Sequence, residues 1–347
     1  MKIKNLKLKI NLFLLSTFYF LLSTAAPAGA AGLSLGIYPP LIQVETIPPA
    51  NVNSKITIQN LGDNPVDLEI TLKPFVASKD ENGQVEYIPQ DQSFGEDPLI
   101  LQRVQIIDGD QAIKSITLAP LQKKDLTLNI DIPAEESLGD YYFSVIFSSI
   151  PEIQNTQANP SSLLNQSQSV GGVATNVLLS VSSETKESPQ GIIETFSSPL
   201  FVEKGPVPFT VSIKNTGRYF ITPQGSILIK NIFGQTVGKV NLLPVNILSN
   251  STRSIPDELQ SPESASSSAI NHELLTMNSP RAFWPETFLL GPYQATLNMS
   301  LSDQGPIFKR TIYFFALPLQ AFIGIIVVII LIVLIKNRIK SHFKATG

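Results

Sequence analysis

The sequence predicts an all-β protein, with two tandem immunoglobulin-like β-sandwich domains followed by a single transmembrane helix. Three observations lead to this prediction. Short alternating apolar segments fill the middle of the chain, two features recur about 150 residues apart, and a long uncharged run lies near the C-terminus. The chain has 347 residues, enough for two domains of ordinary size, and no cysteine, so core packing has to hold each domain without disulfides.

The alternating segments are rich in Val, Ile, Thr, Phe and Tyr and are separated by turn residues, as expected of strands in a sandwich. The Asn82-Gly83 pair predicts a hairpin with a type I′ turn, because both central residues of that turn need a positive φ. The segments predicted as strands are 55–59, 66–70, 113–118, 126–130, 141–150 and 172–182 in the first half, and 209–213, 226–230 and 237–243 in the second.

Two sequence features repeat in register and indicate a duplicated domain. Residues 57–62 resemble 212–217, with an Asn-x-Gly in each, and Gly-x-Tyr occurs at 139–141 and again at 291–293. Each Asn-x-Gly is expected to close an early strand with a turn, with Asn and Gly supplying left-handed conformations. Each Gly-x-Tyr precedes a late strand, where a sandwich often places a tyrosine whose hydroxyl bonds to nearby backbone. Both features therefore identify the fold and not a site.

We place the first sandwich at residues 31–184 and the second at 185–313. Two polar segments interrupt the strand pattern, at 152–170 and at 257–280. The first is predicted to be a long hairpin loop, because 172–182 has the pattern of a strand that pairs with 141–150. Long polar loops on a rigid sandwich are either binding loops or solvated, disordered segments, and the sequence leaves both open.

The N-terminus predicts export. Residues 1–30 have the order of a signal peptide: four lysines within the first nine residues, an apolar run over 10–22, and small residues up to Ala30. Cleavage is expected between Ala30 and Ala31. An uncleaved anchor is the alternative, but the run is well short of the ~20 apolar residues that a membrane-crossing helix needs.

The C-terminus predicts a membrane anchor. Residues 311–335 contain no charged side chain, and we predict a transmembrane helix at 314–335. The tail at 336–347 carries Lys336, Arg338, Lys340 and Lys344 and no acidic residue, which places it in the cytoplasm by the positive-inside rule. The expected localisation is therefore the cell membrane, crossed once, with the N-terminal part outside.

Charge is distributed unevenly and excludes one class of partner. Residues 31–184 hold 7 Lys/Arg and 19 Asp/Glu, a net charge of −12, whereas residues 185–313 hold 10 and 9, a net charge of +1. Nucleic-acid binding depends on basic patches that release counterions from the phosphate backbone. An acidic exported region is not expected to bind nucleic acid.

The residues needed for common catalytic sites are scarce. Histidine occurs only at His272 and His342, and without cysteine neither a nucleophile–histidine system nor a multi-histidine zinc site is easily assembled. Carboxylate pairs could serve a glycosidase, but they fall in turn-like segments where acidic residues usually face water. These pairs are Asp80-Glu81, Glu96-Asp97, Asp108-Gly109-Asp110 and Glu135-Glu136. We therefore predict no catalytic, cofactor-binding or metal-binding residue, and no enzyme.

The whole arrangement resembles the WxL-interacting family of Gram-positive surface proteins. The resemblance includes Ile37-Tyr38-Pro39-Pro40 at the mature start and, in the second half, the segments 230–234, 237–239 and 245–248. It implies that the first domain associates with peptidoglycan and the second with host or partner proteins, while secreted WxL proteins are held at the wall. The chain has no WxL motif of its own, because Trp284 is followed by Pro285 and Glu286. It would be the anchor and not the anchored protein.

These observations favour a membrane-anchored binding and scaffolding protein of a bacterial cell surface, which engages peptidoglycan and surface or host proteins. One alternative is a membrane-anchored, chaperone-like module that completes partner subunits by adding a strand to a sheet edge. Such chaperones are two-sandwich proteins. A carboxylate-dependent glycan hydrolase is the enzymatic alternative.

Overall fold

The computed structural model describes residues 34–88, 99–150, 171–185, 187–258, 281–302, 305–318 and 328–336, and it is all-β apart from short helical segments. The strands of the first sandwich are β1 (Leu35–Tyr38), β2 (Leu41–Thr46), β3 (Ala50–Asn60), β4 (Val66–Ala77), β5 (Val85–Tyr87), β6 (Val104–Asp108), β7 (Gln111–Ile113), β8 (Ser115–Leu118), β9 (Lys123–Ile132), β10 (Gly139–Ser149) and β11 (Gly172–Val181). A 3₁₀ turn covers Leu99–Arg103.

The first sandwich packs a sheet of order β1-β3-β9-β6-β7 against a sheet of order β2-β11-β10-β4, with β5 and β8 both paired to β4. Strand β2 runs parallel to β11, and the other pairs are antiparallel. Side chains that alternate inward from both sheets form one core, as the period of two requires. Its largest fully buried members include Ile56, Ile58, Leu126, Phe143 and Phe147.

The second sandwich is built from β12 (Gly191–Ser197), β13 (Phe201–Val202), β14 (Val207–Asn215), β15 (Gln224–Asn231), β16 (Thr236–Asn241), β17 (Thr252–Ser254), β18 (Ala282–Trp284), β19 (Gly291–Ser300) and β20 (Ile307–Ala316). One sheet has the order β12-β14-β17, with β18 also on β14, and the other has the order β13-β20-β19-β15-β16. Phe209, Val211 and Ile213, which alternate in the sequence, are all fully buried in its core.

Most predicted strands are confirmed. The predicted hairpin between 141–150 and 172–182 is also present, because β10 pairs antiparallel with β11 along its length. The hairpin at Asn82-Gly83 forms between β4 and β5. Its turn differs from the expected type: the positive φ values are at Glu81 and Gly83, while Asn82 accepts a hydrogen bond from the Gln84 amide.

The predicted single strand at 113–118 is wrong, because the chain changes sheets in the middle of it. Strand β7 ends at Ile113 and pairs with β6 in one sheet, and β8 begins at Ser115 and pairs with β4 in the other. Lys114 lies at the crossing and its carbonyl accepts a hydrogen bond from the Ile70 amide. Alternation continues through such a crossing, so it is not visible in the sequence pattern.

The start of the predicted transmembrane helix at residue 314 is also wrong. Strand β20 continues to Ala316 and buries Phe314 and Ala316 in the second core. Residues 319–327 and 337–347 lie outside the described residues, and 328–336 is helical. None of the helices in the described part of the chain has the length and apolar character that a bilayer crossing requires.

The other polar and terminal segments are only partly described. The predicted signal peptide with its Ala30 and Ala31 cleavage site, and the polar loop at 152–170, lie outside the described residues. The predicted polar segment at 257–280 is described only at its first two residues. Asp257 is buried, where its Oδ2 accepts a hydrogen bond of 2.6 Å from the Phe283 amide, so it is part of the sandwich and not of a loop.

The repeated Asn-x-Gly has the same structure in both domains, for a reason that differs from the expected one. Asn60 and Asn215 are buried, and each side-chain carbonyl accepts a hydrogen bond of 2.9 Å from the glycine amide two residues on. The Nδ2 of Asn215 donates to the Tyr219 and Ile247 carbonyls at 2.8 and 3.0 Å, and Asn60 makes the equivalent bonds. The asparagine therefore recurs in the two halves because its side chain is a buried hydrogen-bonding hub. It does not recur to supply a left-handed backbone conformation.

The repeated Gly-x-Tyr is confirmed as a structural feature. Gly139 and Gly291 begin β10 and β19 with φ of 150° and 96°, which only glycine adopts readily. The Tyr141 hydroxyl lies 2.8 Å from the Ser137 carbonyl, and the Tyr293 hydroxyl accepts a 3.1 Å hydrogen bond from the Leu290 amide. Both tyrosines therefore tie the start of a late strand to the backbone just before it.

Candidate functional site

The contact between the two sandwiches contains a polar cluster centred on Asp140, the middle residue of the first Gly-x-Tyr. Its carboxylate accepts hydrogen bonds from the Ser180 and Tyr142 hydroxyls and, across the domain boundary, from the Phe220 amide. The Tyr142 hydroxyl in turn accepts a 3.0 Å hydrogen bond from the Ser249 amide of the second domain. This cluster fixes how the two domains face each other.

Burial of the Asp140 carboxylate raises its pKa above the usual range, because removal from water disfavours the charged form more than the three donors stabilise it. The pKa of Tyr142 is also raised, chiefly by burial and by the neighbouring Asp140 charge. The Asp140 carboxylate already accepts three hydrogen bonds, and the Tyr142 hydroxyl donates one and accepts one, so both groups are engaged in the contact between the domains. They are better explained as a fixed joint.

A second contact lies at the tip of the β4–β5 hairpin. The Glu81 carbonyl accepts a 2.9 Å hydrogen bond from the Ser254 amide, so the hairpin backbone meets β17 of the second domain. The guanidinium of Arg253 lies directly on Gly83, where a Cβ atom would come within 2.3 Å of it. Glycine at position 83 therefore permits both the turn, with φ of 82°, and the close approach of the arginine.

A cavity of about 210 Å³ lies between the polar cluster and this hairpin, and residues of both domains form its walls. One side is the outer face of the β2–β11–β10–β4 sheet, and the other is the segment that leads into β17. The principal wall residues are Leu41, Phe75, Asn176 and Leu178 from the first domain and Asn246, Leu248, Ser251 and Arg253 from the second. The cavity is thus partly apolar, with amide and hydroxyl groups and one cation.

Arg253 is the group that gives this cavity its charge. Its Nη1 donates a 2.6 Å hydrogen bond to the Asn246 carbonyl, and within the described residues no carboxylate forms an ion pair with it. Burial lowers the pKa of the guanidinium, but arginine stays protonated because its pKa is intrinsically very high. A partly desolvated cation without a facing anion is costly, and a bound carboxylate would offset that cost.

In the described part of the chain, the acidic residues considered as catalytic candidates are spread over separate turns. The acidic pairs considered for a glycosidase belong to different turns: Asp80-Glu81 is at the β4–β5 hairpin, and Asp108 and Asp110 flank the β6–β7 turn. Glu136 lies beside the Tyr141 hydroxyl, and Glu96-Asp97 is outside the described residues. The part of the chain that the structure describes contains no cluster of three or more metal-ligating side chains.

Two sheet edges are candidates for strand addition. One is β11, which borders the cavity, and the other is β20 of the second sandwich, which does not line it. Strand β11 pairs with β2 only from Asn176 to Val181. Just before this, Thr175 is buried and its hydroxyl donates to the Pro39 carbonyl, so only 172–174 lack a described partner on that side. Strand β20 pairs with β13 only at Phe315 and Ala316, so on the side away from β19 residues 307–314 have no described strand pairing, although the Arg310 side chain bonds to β12. The β20 edge carries Lys309 and Arg310, and charges on an edge discourage pairing with another chain.

Sequence reasoning did not find Arg253 or the cavity. Trp284, the single tryptophan of the sequence, is buried and meets Tyr293 edge-on at 5.6 Å, so it is a packing residue and not an exposed contact residue. A lone arginine in a polar turn carries no signal of its own in a single sequence.

No family model matches the sequence, and no curated protein matches it either. Among solved structures, the class 5 fimbriae chaperone CfaA is similar at 10% identity, covering 82% of this chain and 100% of that chain with a TM-score of 0.31. The E. coli chaperone DraB has 11% identity, 82% and 98% coverage, and a TM-score of 0.31. The Salmonella enterica SafA pilin–SafB chaperone structure has 8% identity, 83% and 98% coverage, and a TM-score of 0.32. These likenesses concern the fold, so the functional argument comes from the residues of this chain.

Proposed function

We propose that the protein is a membrane-anchored, cell-surface binding protein that holds a carboxylate-bearing segment of its partner in the cavity between the two sandwiches. The observation that carries this proposal is the Arg253 guanidinium, which lines the cavity with no described carboxylate opposite it. A guanidinium binds a carboxylate through two parallel hydrogen bonds, which gives both affinity and direction.

The size of the cavity supports a segment of a larger partner over a small-molecule ligand. Pockets for drug-sized ligands and cofactors have volumes of roughly 300–1,000 Å³. The cavity here, at about 210 Å³, is smaller and suits one or two side chains. Its apolar wall residues Phe75, Leu178 and Leu248 would contact the aliphatic part of such a segment.

The edge of β11 offers the same segment a backbone partner. Asn176 lines the cavity and is also the first residue of β11 that pairs with β2, through Leu41. A partner strand added alongside 172–174 would therefore run towards Asn176 at the cavity wall. Strand addition supplies backbone hydrogen bonds without a special side chain, and this geometry favours the chaperone-like form of the binding proposal.

The location and the class of partner are parts of the same proposal. The uncharged run before the basic tail supports a bilayer anchor, and the signal-like N-terminus supports export. Peptidoglycan association is implied by the family resemblance, and the stem peptides of peptidoglycan carry carboxylates that Arg253 could bind. Proteins and wall glycopeptides are therefore the two partner classes to compare.

The test uses the full chain in lipid nanodiscs and a displayed library of random eight-residue peptides, with purified bacterial wall fragments as a second probe. Peptides selected on the wild type should be enriched in Asp or Glu. Arg253→Gln should weaken their binding about tenfold or more, because it removes a charge-assisted pair. Replacing the selected acidic residue by its amide should cause the same loss.

Arg310→Gln is the matched control. Its Nη1 donates to the Ile193 and Glu194 carbonyls, on β12 of the second domain, and it does not line the cavity. This variant should bind like the wild type. Equal binding by the Arg253→Gln variant, or no preference for acidic peptides and no wall binding by the wild type, would contradict the proposal.

A further inference from the structure

Exposed apolar side chains gather at one end of the second sandwich. They lie on three separate segments: the start of β13 with the residue before it, the β15–β16 turn and the loop before β19. We call this group the apolar end, and its members are Leu200, Phe201, Ile232, Phe233, Phe288 and Leu290. Leu200 and Phe233 are the most exposed, at 80% and 83% of their surface.

Strand register places these segments together. Phe201 is opposite Phe315 on β20, and their rings are stacked with centroids 6.3 Å apart. Gly291, directly after Leu290, is opposite Ala316 at the end of β20. Asn231, directly before Ile232, is opposite Tyr293 on β19. All three segments therefore surround the point where β20 ends.

The other end of the same sandwich faces the first domain. Phe220 and Ser249, which bond to Asp140 and Tyr142, lie beside the start of β15 and far from its turn with β16. The apolar end therefore points away from the first domain. Gln224, four residues after Phe220, pairs with Ser300, and Asn231 is seven residues further along β15, roughly 23 Å away at the usual rise per residue.

The chain leaves the second sandwich through this apolar end. The Leu317 amide donates to the Val202 carbonyl at 3.0 Å, and from there the sequence has no charged residue until Lys336. The uncharged run of 311–335 thus leaves the sandwich where the exposed Leu and Phe side chains are. Isolated exposed apolar residues are ordinary, but six of them on three segments at one end of a domain mark a contact surface.

We propose that the apolar end is seated in the interfacial layer of the bilayer, so that the second sandwich rests on the membrane and the first domain projects from it. This inference rests on the bilayer anchor of the proposed function. Loop-borne Phe and Leu side chains favour the boundary between headgroups and acyl chains, as amphipathic surface segments do. The nearby exposed charges, Glu203, Lys204, Lys230 and Glu286, cancel, so the contact should not require anionic lipid.

The experiment exploits the absence of cysteine in the chain. Single Phe233→Cys and Phe288→Cys variants of the full chain are labelled with a polarity-sensitive fluorophore and reconstituted into phosphatidylcholine vesicles. Ile307→Cys is the matched control, because residue 307 is 64% exposed on β20 at the end opposite the apolar end. A nitroxide carried on the lipid should quench the labels at 233 and 288. Aqueous iodide should quench these two labels at least about threefold less efficiently than the label at 307.

Each outcome decides the inference. If the chain floats with the vesicles but all three labels are equally open to iodide, the anchor stands and the seated apolar end is wrong. If 233 and 288 are protected from iodide without quenching by the lipid nitroxide, a protein copy covers them and the lipid proposal is overturned. If the chain does not float with the vesicles, the anchor fails and the inference fails with it. Vesicles containing phosphatidylglycerol should give the same quenching as phosphatidylcholine alone.

Discussion

At the scale of single residues, the two buried asparagines carry more structural weight than their polarity suggests. Asn215 is completely buried, and its one side chain satisfies two backbone carbonyls and one amide. A buried donor or acceptor left without a partner costs roughly 1–3 kcal/mol. The side chain therefore replaces ladder hydrogen bonds at a point where the strand has ended.

Asn215→Ala should lower the free energy of unfolding by about 3 kcal/mol, because it leaves several buried backbone groups unsatisfied. Chemical denaturation measures this change. Asn231→Ala is the control: Asn231 makes the same kind of bond to the Phe233 amide, at 3.0 Å, but in an exposed turn where water can replace it. Its loss should stay below about 1 kcal/mol. Similar losses in the two variants would argue against the buried hub.

Arg253 is the opposite case, a partly buried polar side chain most of whose hydrogen-bond donors have no described acceptor. Its guanidinium has one described hydrogen bond, to the Asn246 carbonyl, and the remaining donors face the cavity and Gly83. A surface arginine would exchange those contacts with water at little cost. In a cleft, the unused donors make it a selective position for an anion.

At the scale of secondary-structure elements, the edges of the second sandwich are protected individually. Strand β12 has a register shift between Ile193 and Thr195, and Arg310 of β20 bonds to the carbonyls of Ile193 and Glu194 next to it. A bulge and an edge charge both discourage pairing with another chain. Strand β16 is fixed differently, by close packing onto Trp284.

Gly238→Ala should displace either β16 or the indole ring, because a Cβ at residue 238 would come within 2.4 Å of Trp284 Nε1. We expect a loss of about 1–3 kcal/mol, as for other overpacked sites. Trp284 is the only tryptophan, so its fluorescence reports the ring directly, and the emission should shift to longer wavelength.

Gly234→Ala is the control for this element. Gly234 has φ of 76° and no atom within 4 Å of the added Cβ, so the substitution only strains the turn, by about 1 kcal/mol. It should lower the melting temperature without shifting the emission of Trp284. An unchanged emission in the Gly238→Ala variant would contradict the packing of β16 on the indole.

At the scale of the whole molecule, the orientation of the two domains depends on ionisable groups. Asp140 joins the domains, and burial raises its pKa, with the Glu45 charge adding to the effect. A carboxyl with a raised folded-state pKa stabilises the fold most at low pH. That contribution is lost as the pH rises through the folded-state pKa.

The wild type should therefore become more stable relative to the Asp140→Asn variant as the pH falls from 7 towards about 4. Denaturation at several pH values measures it. Asp125→Asn should show the opposite trend, with the change falling below about pH 5, because hydrogen bonds from Lys55 and Thr57 lower the pKa of Asp125 from its ordinary value of 3.8. Parallel pH profiles for the two variants would show that burial does not control Asp140.

The sequence could predict those features that depend on local pattern. Alternation located the strands, as at Ile56 and Ile58, because a period of two is a property of one segment facing one core. The repeat identified Asn215 as the equivalent of Asn60, and Tyr293 as the equivalent of Tyr141, because a duplicated domain keeps its structural positions. The sheet crossing at Lys114 was not predictable, since the pattern is the same on both sides of it.

The sequence by itself determined the class of the fold, its strands and its repeat, because these follow from side-chain periodicity and turn chemistry along short stretches of chain. Only the tertiary structure decided that Asp140 meets the amide of Phe220, 80 residues away, and that Arg253 closes a cavity against Gly83. Both contacts depend on how two separately folded sandwiches are oriented. That orientation is set by packing between domains, which no local pattern in the sequence records.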